Sequence, residues 1–124
     1  MTKSFLKVAA LSLLMLPTSV LLKAQNSPYS SYLFAFFSNN SPRGEQIRYA
    51  VSDDGFDYTS LNMGRPVVSS DTIAIKKSIR DPHIMRAEDG KTFYMVLTDM
   101  RSSQGWQSNE GLILMKSTDL LHWE

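Results

Sequence analysis

"SIRDPHIMRAEDGKTFYMVLTDM", residues 78–100, decides how the chain is read. An Asp-Pro pair (Asp81, Pro82) opens a short apolar stretch, "EDGK" supplies a turn, and "TFYMVLT" runs out as a second strand. Asp can hydrogen-bond its own local backbone and Gly adopts positive φ, so two such runs around "DG" read as an antiparallel hairpin. Proline fixes its own φ and disfavours helix in the residue before it, which predicts an extended Asp81. The plain role for Asp81 is a strand-entry turn. The sharper role is a carboxylate displayed at the end of a sheet, where it can act as a base. Arg80 is expected on the opposite face, because neighbouring strand residues alternate.

The pattern outward from this hairpin is nearly all β. "YLFAFF" (residues 32–37) reads as a strand buried on both faces, and "QIRYAVS" (residues 46–52) alternates with Ile47, Tyr49 and Val51 on one side. "DDG" (residues 53–55) is a turn, and "GLILMKS" (residues 111–117) is a further strand after a polar loop. Residues 71–79 alternate weakly and suit either strand or loop. No run has a helical period after Lys7.

Two segments repeat. "QIRYAVSDDGFDY" aligns with "GLILMKSTDLLHW", placing Ser52 on Ser117, Asp54 on Asp119 and Tyr58 on Trp123. Upstream, residues 32–37 fall on residues 93–98. Each unit is strand, loop, strand, a Ser-x-Asp turn and an aromatic residue, the signature of repeated antiparallel sheets such as propeller blades. Trp123, Phe56 and Tyr58 are assigned to the core, and Asp53, Asp54, Asp57 and Asp119 to turns. Asp53, Asp54 and Asp57 lack the spacing of a calcium loop. Only the second unit has a strand like "RDPHI" before its hairpin, and the chain stops just after its Trp turn, which reads as a fragment.

The first residues carry Lys3 and Lys7, then an apolar run over residues 8–22, then "LLKAQ". This is the layout of a cleavable secretory signal over residues 1–24, and the run is short for a membrane span. Residues 25–124 then form the folded part, and the protein is expected to be exported to the periplasm, cell surface or medium. Without the three lysines of residues 1–24 the formal charge moves from +1 to −2, so nothing points to nucleic acid. There are no cysteines, so packing alone must hold the fold.

"IRDPHIMRAEDGKTFYMVLTDM", a loop containing "GW" and then "GLILMKSTDLLHW" together resemble the N-terminal region of secreted glycoside hydrolase family 43 proteins. The resemblance covers roughly residues 29–124. It implies an all-β, partial five-bladed β-propeller of about one and a half blades, from an enzyme that hydrolyses arabinosyl, xylosyl or galactosyl linkages in polysaccharides with inversion. By motif position it implies that Asp81 is the general base. The general acid and the aspartate that tunes it would lie beyond Glu124, so the 124-residue chain is expected to be inactive alone. No catalytic cofactor or metal is implied, although a structural calcium in the complete propeller would be compatible.

Three further residues are candidates for contacting a polysaccharide or oligosaccharide. His83 alternates with Asp81 and is expected on the same side. Asp99 ends a strand, where it either reaches the sugar or caps the loop. Trp106 offers an indole on which the apolar face of a sugar can stack, or packs beneath its loop. His122 is expected at the surface. A non-catalytic carbohydrate-binding module is the alternative reading, and a propeller fragment unrelated to carbohydrate is a third.

Overall fold

The computed structural model describes residues 30–124, and the expected signal segment lies outside them. Two antiparallel sheets make up the fold, with no α-helix among the described residues. The first sheet has β1 (Tyr32–Phe36), β2 (Arg48–Ser52) and β3 (Thr59–Ser60) in the order β1-β2-β3. The second has β4 (Ile79–Arg86), β5 (Phe93–Asp99) and β6 (Gly111–Ser117) in the order β4-β5-β6. Residues 71–78, ambiguous from their pattern, form turns that deliver the chain to β4. Among the described residues no helix is long and apolar enough to cross a membrane.

The strands form where apolar residues alternate, because one face of each sheet meets the other sheet. Met95 and Leu97 of β5 are fully buried, and Met115 of β6 joins them. They pack with Ile47 and Tyr49, which flank and begin the alternation of β2, and with Ala35 and Phe37 at the edge of the cluster. Residues 32–37 were expected to be buried on both faces. The structure instead leaves Tyr32 and Phe34 more than half exposed, because only one face of the first sheet is covered.

The repeat is reproduced down to single hydrogen bonds. Ser52 Oγ accepts from the backbone N–H groups of Asp54 and Gly55 at 3.3 and 2.8 Å, and Asp54 Oδ1 accepts from those of Phe56 and Asp57 at 2.8 and 2.9 Å. In the second copy Ser117 Oγ accepts from Asp119 and Leu120 at 3.2 and 2.9 Å, and Asp119 Oδ1 from Leu121 and His122, both at 2.8 Å. The backbone follows suit: Gly55 has φ +82° and its counterpart Leu120 has φ +66°. Backbone bonds in both directions join Lys116 to Glu124, at the position where Val51 pairs with Thr59 in the first copy.

The aromatic residues closing the two turns differ in fate. Trp123 is half-buried, and its Nε1–H is shared between Tyr49 Oη and the Leu120 carbonyl, each at 3.1 Å. Tyr58 is exposed and Phe56 is 87% exposed, so the core assignment holds only for Trp123. The reason is positional: Trp123 closes the turn on the side facing the first sheet, whereas Phe56 and Tyr58 lie on the side that faces solvent. Residues 53, 54, 57 and 119 are turn residues as expected, and His122 is exposed with Nδ1 2.7 Å from Asp119 Oδ2.

Candidate functional site

The site is built where β4 begins and β5 ends. Ile79 pairs with Asp99 and Arg80 with Thr98, but pairing resumes at His83 with Val96. Asp81 and Pro82 thus stand opposite Leu97 alone, two residues against one, which is a β-bulge. A proline, with no N–H to donate, is tolerated at such a break in the ladder. The bulge overturns the extended conformation expected of Asp81, which has φ +51°. An L-residue held there is strained, and only its surroundings keep it so.

The strain has a visible result. Asp81 is exposed, and Thr98 Oγ1 donates to its Oδ2 at 2.9 Å. Thr98 and Val96 share one face of β5, and His83 is the direct partner of Val96. Asp81 and His83 therefore stand over the same exposed face.

Arg80, one residue earlier and the direct partner of Thr98, is buried where Asp81 is exposed. Its Nη1 donates to Glu45 Oε1 at 3.1 Å, to Asn40 Oδ1 at 2.9 Å and to Ser102 Oγ at 2.8 Å, and its guanidinium lies 4.4 Å from the Phe37 ring centroid. The fully buried Glu45 also accepts from Ser78 Oγ at 2.6 Å, from the Ser102 backbone N–H at 2.8 Å and from the Ser102 hydroxyl. The charge of Arg80 is thus met by Glu45, not by Asp81.

This cluster also fixes the loop that carries Trp106. Two short 3-10 helices, Ser102–Gln104 and Trp106–Ser108, follow β5. Ser108 Oγ ties them, its one proton shared between the Gly105 carbonyl at 2.7 Å and the Arg101 carbonyl at 2.9 Å. Trp106 does not pack beneath the loop: its side chain is 79% exposed, with the Arg80 guanidinium 5.9 Å from the ring centroid.

Asp99 is not brought to this face. It is buried, and its two oxygens accept the backbone N–H groups of Ile75 and Lys76 at 2.7 and 2.9 Å. Strand alternation sets residues 98 and 99 on opposite faces, and Asp99 clamps the turn ahead of β4 instead of capping the loop that follows β5. Sequence reasoning missed Glu45. It sits in the polar run "PRGEQ", and nothing local marks it as a buried partner for a residue 35 positions away. Among the described residues, no group of three or more His, Asp or Glu is placed to hold a metal ion.

Two three-stranded antiparallel sheets built on a repeated strand-turn unit define an all-β domain. Residues 27–124 match the family model described as a probable glycosyl hydrolase domain, related to glycoside hydrolase family 43, and the chain belongs to this family. It is also 28% identical over 109 residues to an alpha-L-arabinofuranosidase of Bifidobacterium longum subsp. longum, an alignment covering 82% of this chain and 10% of the relative. The chain thus spans about a tenth of that relative's length. No solved structure matches it.

Proposed function

We propose that the chain is the N-terminal piece of an exported, inverting glycosidase built on a five-bladed propeller, and that Asp81 is its general base. The observation that carries this reading is the Asp81 carboxylate, held at a strained φ of +51° on a bulge, exposed and tied by Thr98. Strained residues gather at working sites because only a structure that over-determines them keeps them. Membership of a glycosyl hydrolase family supports a carboxylate role, and the proposed chemistry is inverting: one carboxylate deprotonates a water while a protonated acid roughly 6.5–9.5 Å away protonates the leaving oxygen. Glu45 does not suit the second role, since it is buried and engaged by Arg80, Ser78 and Ser102. The acid is assigned to polypeptide outside residues 30–124.

In this reading Trp106 is the platform for a sugar ring, His83 lines the same face, and Asp99 holds the framework. The substrate class is an arabinosyl, xylosyl or galactosyl linkage, with arabinosyl favoured by the named activity of the Bifidobacterium relative. No step here needs a cofactor.

The test has two parts. Arabino- or xylo-oligosaccharide added to the 124-residue chain should change Trp fluorescence; Trp106→Ala should abolish the response and Asp81→Asn keep it, with no turnover of an aryl arabinofuranoside. In a longer polypeptide that supplies the acid, Asp81→Asn should lower kcat by roughly 10²–10⁴-fold with KM little changed. An unchanged kcat there rejects Asp81 as the base. Sugar binding without turnover in any longer polypeptide would favour a non-catalytic binding module.

A further inference from the structure

The bulge fixes where the Asp81 backbone stands, but not where its carboxylate points. An aspartate turns about two side-chain bonds, and the second has no sharply preferred angle. Asp81 is exposed, so packing does not choose the angle for it. The neighbouring cation does not choose it either, because Arg80 is engaged by Glu45, Asn40 and Ser102. Among the described residues the hydrogen-bond partner of the carboxylate is Thr98, whose Oγ1 donates to Oδ2 at 2.9 Å. A base has to meet its proton within hydrogen-bond reach and in the right direction, so the group that sets this angle affects the rate.

Thr98 is well placed to hold a neighbour still. It lies on β5, the central strand of its sheet, and is paired on both sides, with Arg80 of β4 and Leu112 of β6. Arg80 is the last residue of β4 in register before the bulge, so Thr98 stands beside the break itself. Threonine is branched at Cβ, which restricts its first side-chain torsion and leaves the hydroxyl few positions. The strand needs a β-branched residue here no more than it needs a hydroxyl: valine would fill the same rung without the donor.

The structure assigns Thr98 as the positioning residue of the general base, its hydroxyl setting the angle of the Asp81 carboxylate. This rests on the reading of Asp81 given above. Thr98 acts through Asp81 and not on the sugar, so its loss slows the reaction without weakening substrate binding.

Two variants separate the hydroxyl from the shape. Thr98→Val keeps the branched side chain and removes the donor, whereas Thr98→Ser keeps the donor. In a longer polypeptide that supplies the acid, Thr98→Val should lower kcat by roughly 10–100-fold with KM little changed, and Thr98→Ser should stay within about threefold of the parent. Asp81→Asn/Thr98→Val should be no slower than Asp81→Asn alone, because nothing is left to position. In the 124-residue chain, the carboxyl 13C resonance of Asp81 should move in Thr98→Val and stay in Thr98→Ser. The Asp99 resonance, set by the Ile75 and Lys76 N–H groups, should hold in both and report that the fold is kept. A parent-like kcat in Thr98→Val beside a slow Asp81→Asn overturns the assignment and leaves Asp81 as the base. Equal losses in Thr98→Val and Thr98→Ser, an unmoved Asp81 resonance, or a double variant slowed by both losses multiplied also overturn it. Full kcat in Asp81→Asn rejects the base, and the positioning role falls with it.

Discussion

Glu45 is the residue whose loss the structure predicts most sharply. Its fully buried carboxylate balances Arg80 and accepts from Ser78, from the Ser102 backbone and from the Ser102 hydroxyl. Arg80 is itself 7% exposed, and its Nε has no hydrogen-bond partner among the described residues, so it has little access to water when Glu45 is removed. Glu45→Ala should therefore cost about 3–5 kcal/mol, the range for leaving one half of a buried ion pair. That is a large share of the roughly 5–15 kcal/mol that holds a domain together. Glu45→Ala/Arg80→Met removes both charges and keeps an apolar stem over Phe37. It should recover about 2 kcal/mol, and not the whole loss, because the Ser78 hydroxyl and Ser102 N–H stay unpaired. Urea denaturation of the parent, both single variants and the double variant measures this, with the midpoint shifting and the slope unchanged. The reasoning fails if Glu45→Ala costs less than about 1 kcal/mol, or if the double variant is no more stable than Glu45→Ala.

Gly55→Ala should cost about 1 kcal/mol from its φ of +82°, since the new Cβ meets nothing nearer than 3.5 Å; Gly111→Ala, with open space around it, should be silent in the same denaturation assay. On the acid side, the N–H groups of Asp57 and Phe56 and the Ser52 hydroxyl hold Asp54 down to about 2, and the His122 backbone, its ring and the Leu121 N–H likewise lower Asp119. Folded values below the ordinary carboxylate value of 3.8 give stability that is present above about pH 4 and drains as pH falls toward 2. Asp54→Asn/Asp119→Asn should flatten that limb of a pH–Tm curve. On the alkaline side, burial pushes the Tyr49 hydroxyl up to about 12, so its contribution holds below pH 10 and is lost between pH 10 and 12. Tyr49→Phe should remove this loss while leaving neutral-pH stability nearly unchanged, because Trp123 Nε1 keeps the Leu120 carbonyl.

Legibility followed the range of the interactions. The hairpin of β4 and β5 was readable because alternation and turn residues are local, and the Ser-x-Asp turns because their hydrogen bonds span only two or three residues. Asp81 was singled out by its motif, but its conformation was misjudged. A proline argues for an extended neighbour only while the strand stays in register, and the bulge that breaks register depends on pairing with β5. Phe56 and Tyr58 looked like core because aromatic residues in a repeat usually are; which side of a sheet is covered is a tertiary fact. Glu45 was invisible for the same reason, since its partners lie 33 to 57 residues away.

Arg80 and Asp81 are adjacent and face opposite physical demands, and that opposition explains how the site is held. A strained backbone costs of order 1–3 kcal/mol and relaxes unless neighbours forbid it. On one side Arg80 is locked into Glu45, Asn40 and Ser102, so the chain enters the bulge from a fixed point. On the other, Pro82 limits its own φ and His83 resumes the ladder with Val96. Between these two anchors Asp81 has little freedom to relax, and Thr98 takes up one of its oxygens. Because Glu45 also holds Ser102 at the base of the Trp106 loop, one buried ion pair orients both the carboxylate and the indole. Loosening it should therefore disturb Asp81 and Trp106 together, although neither touches Glu45.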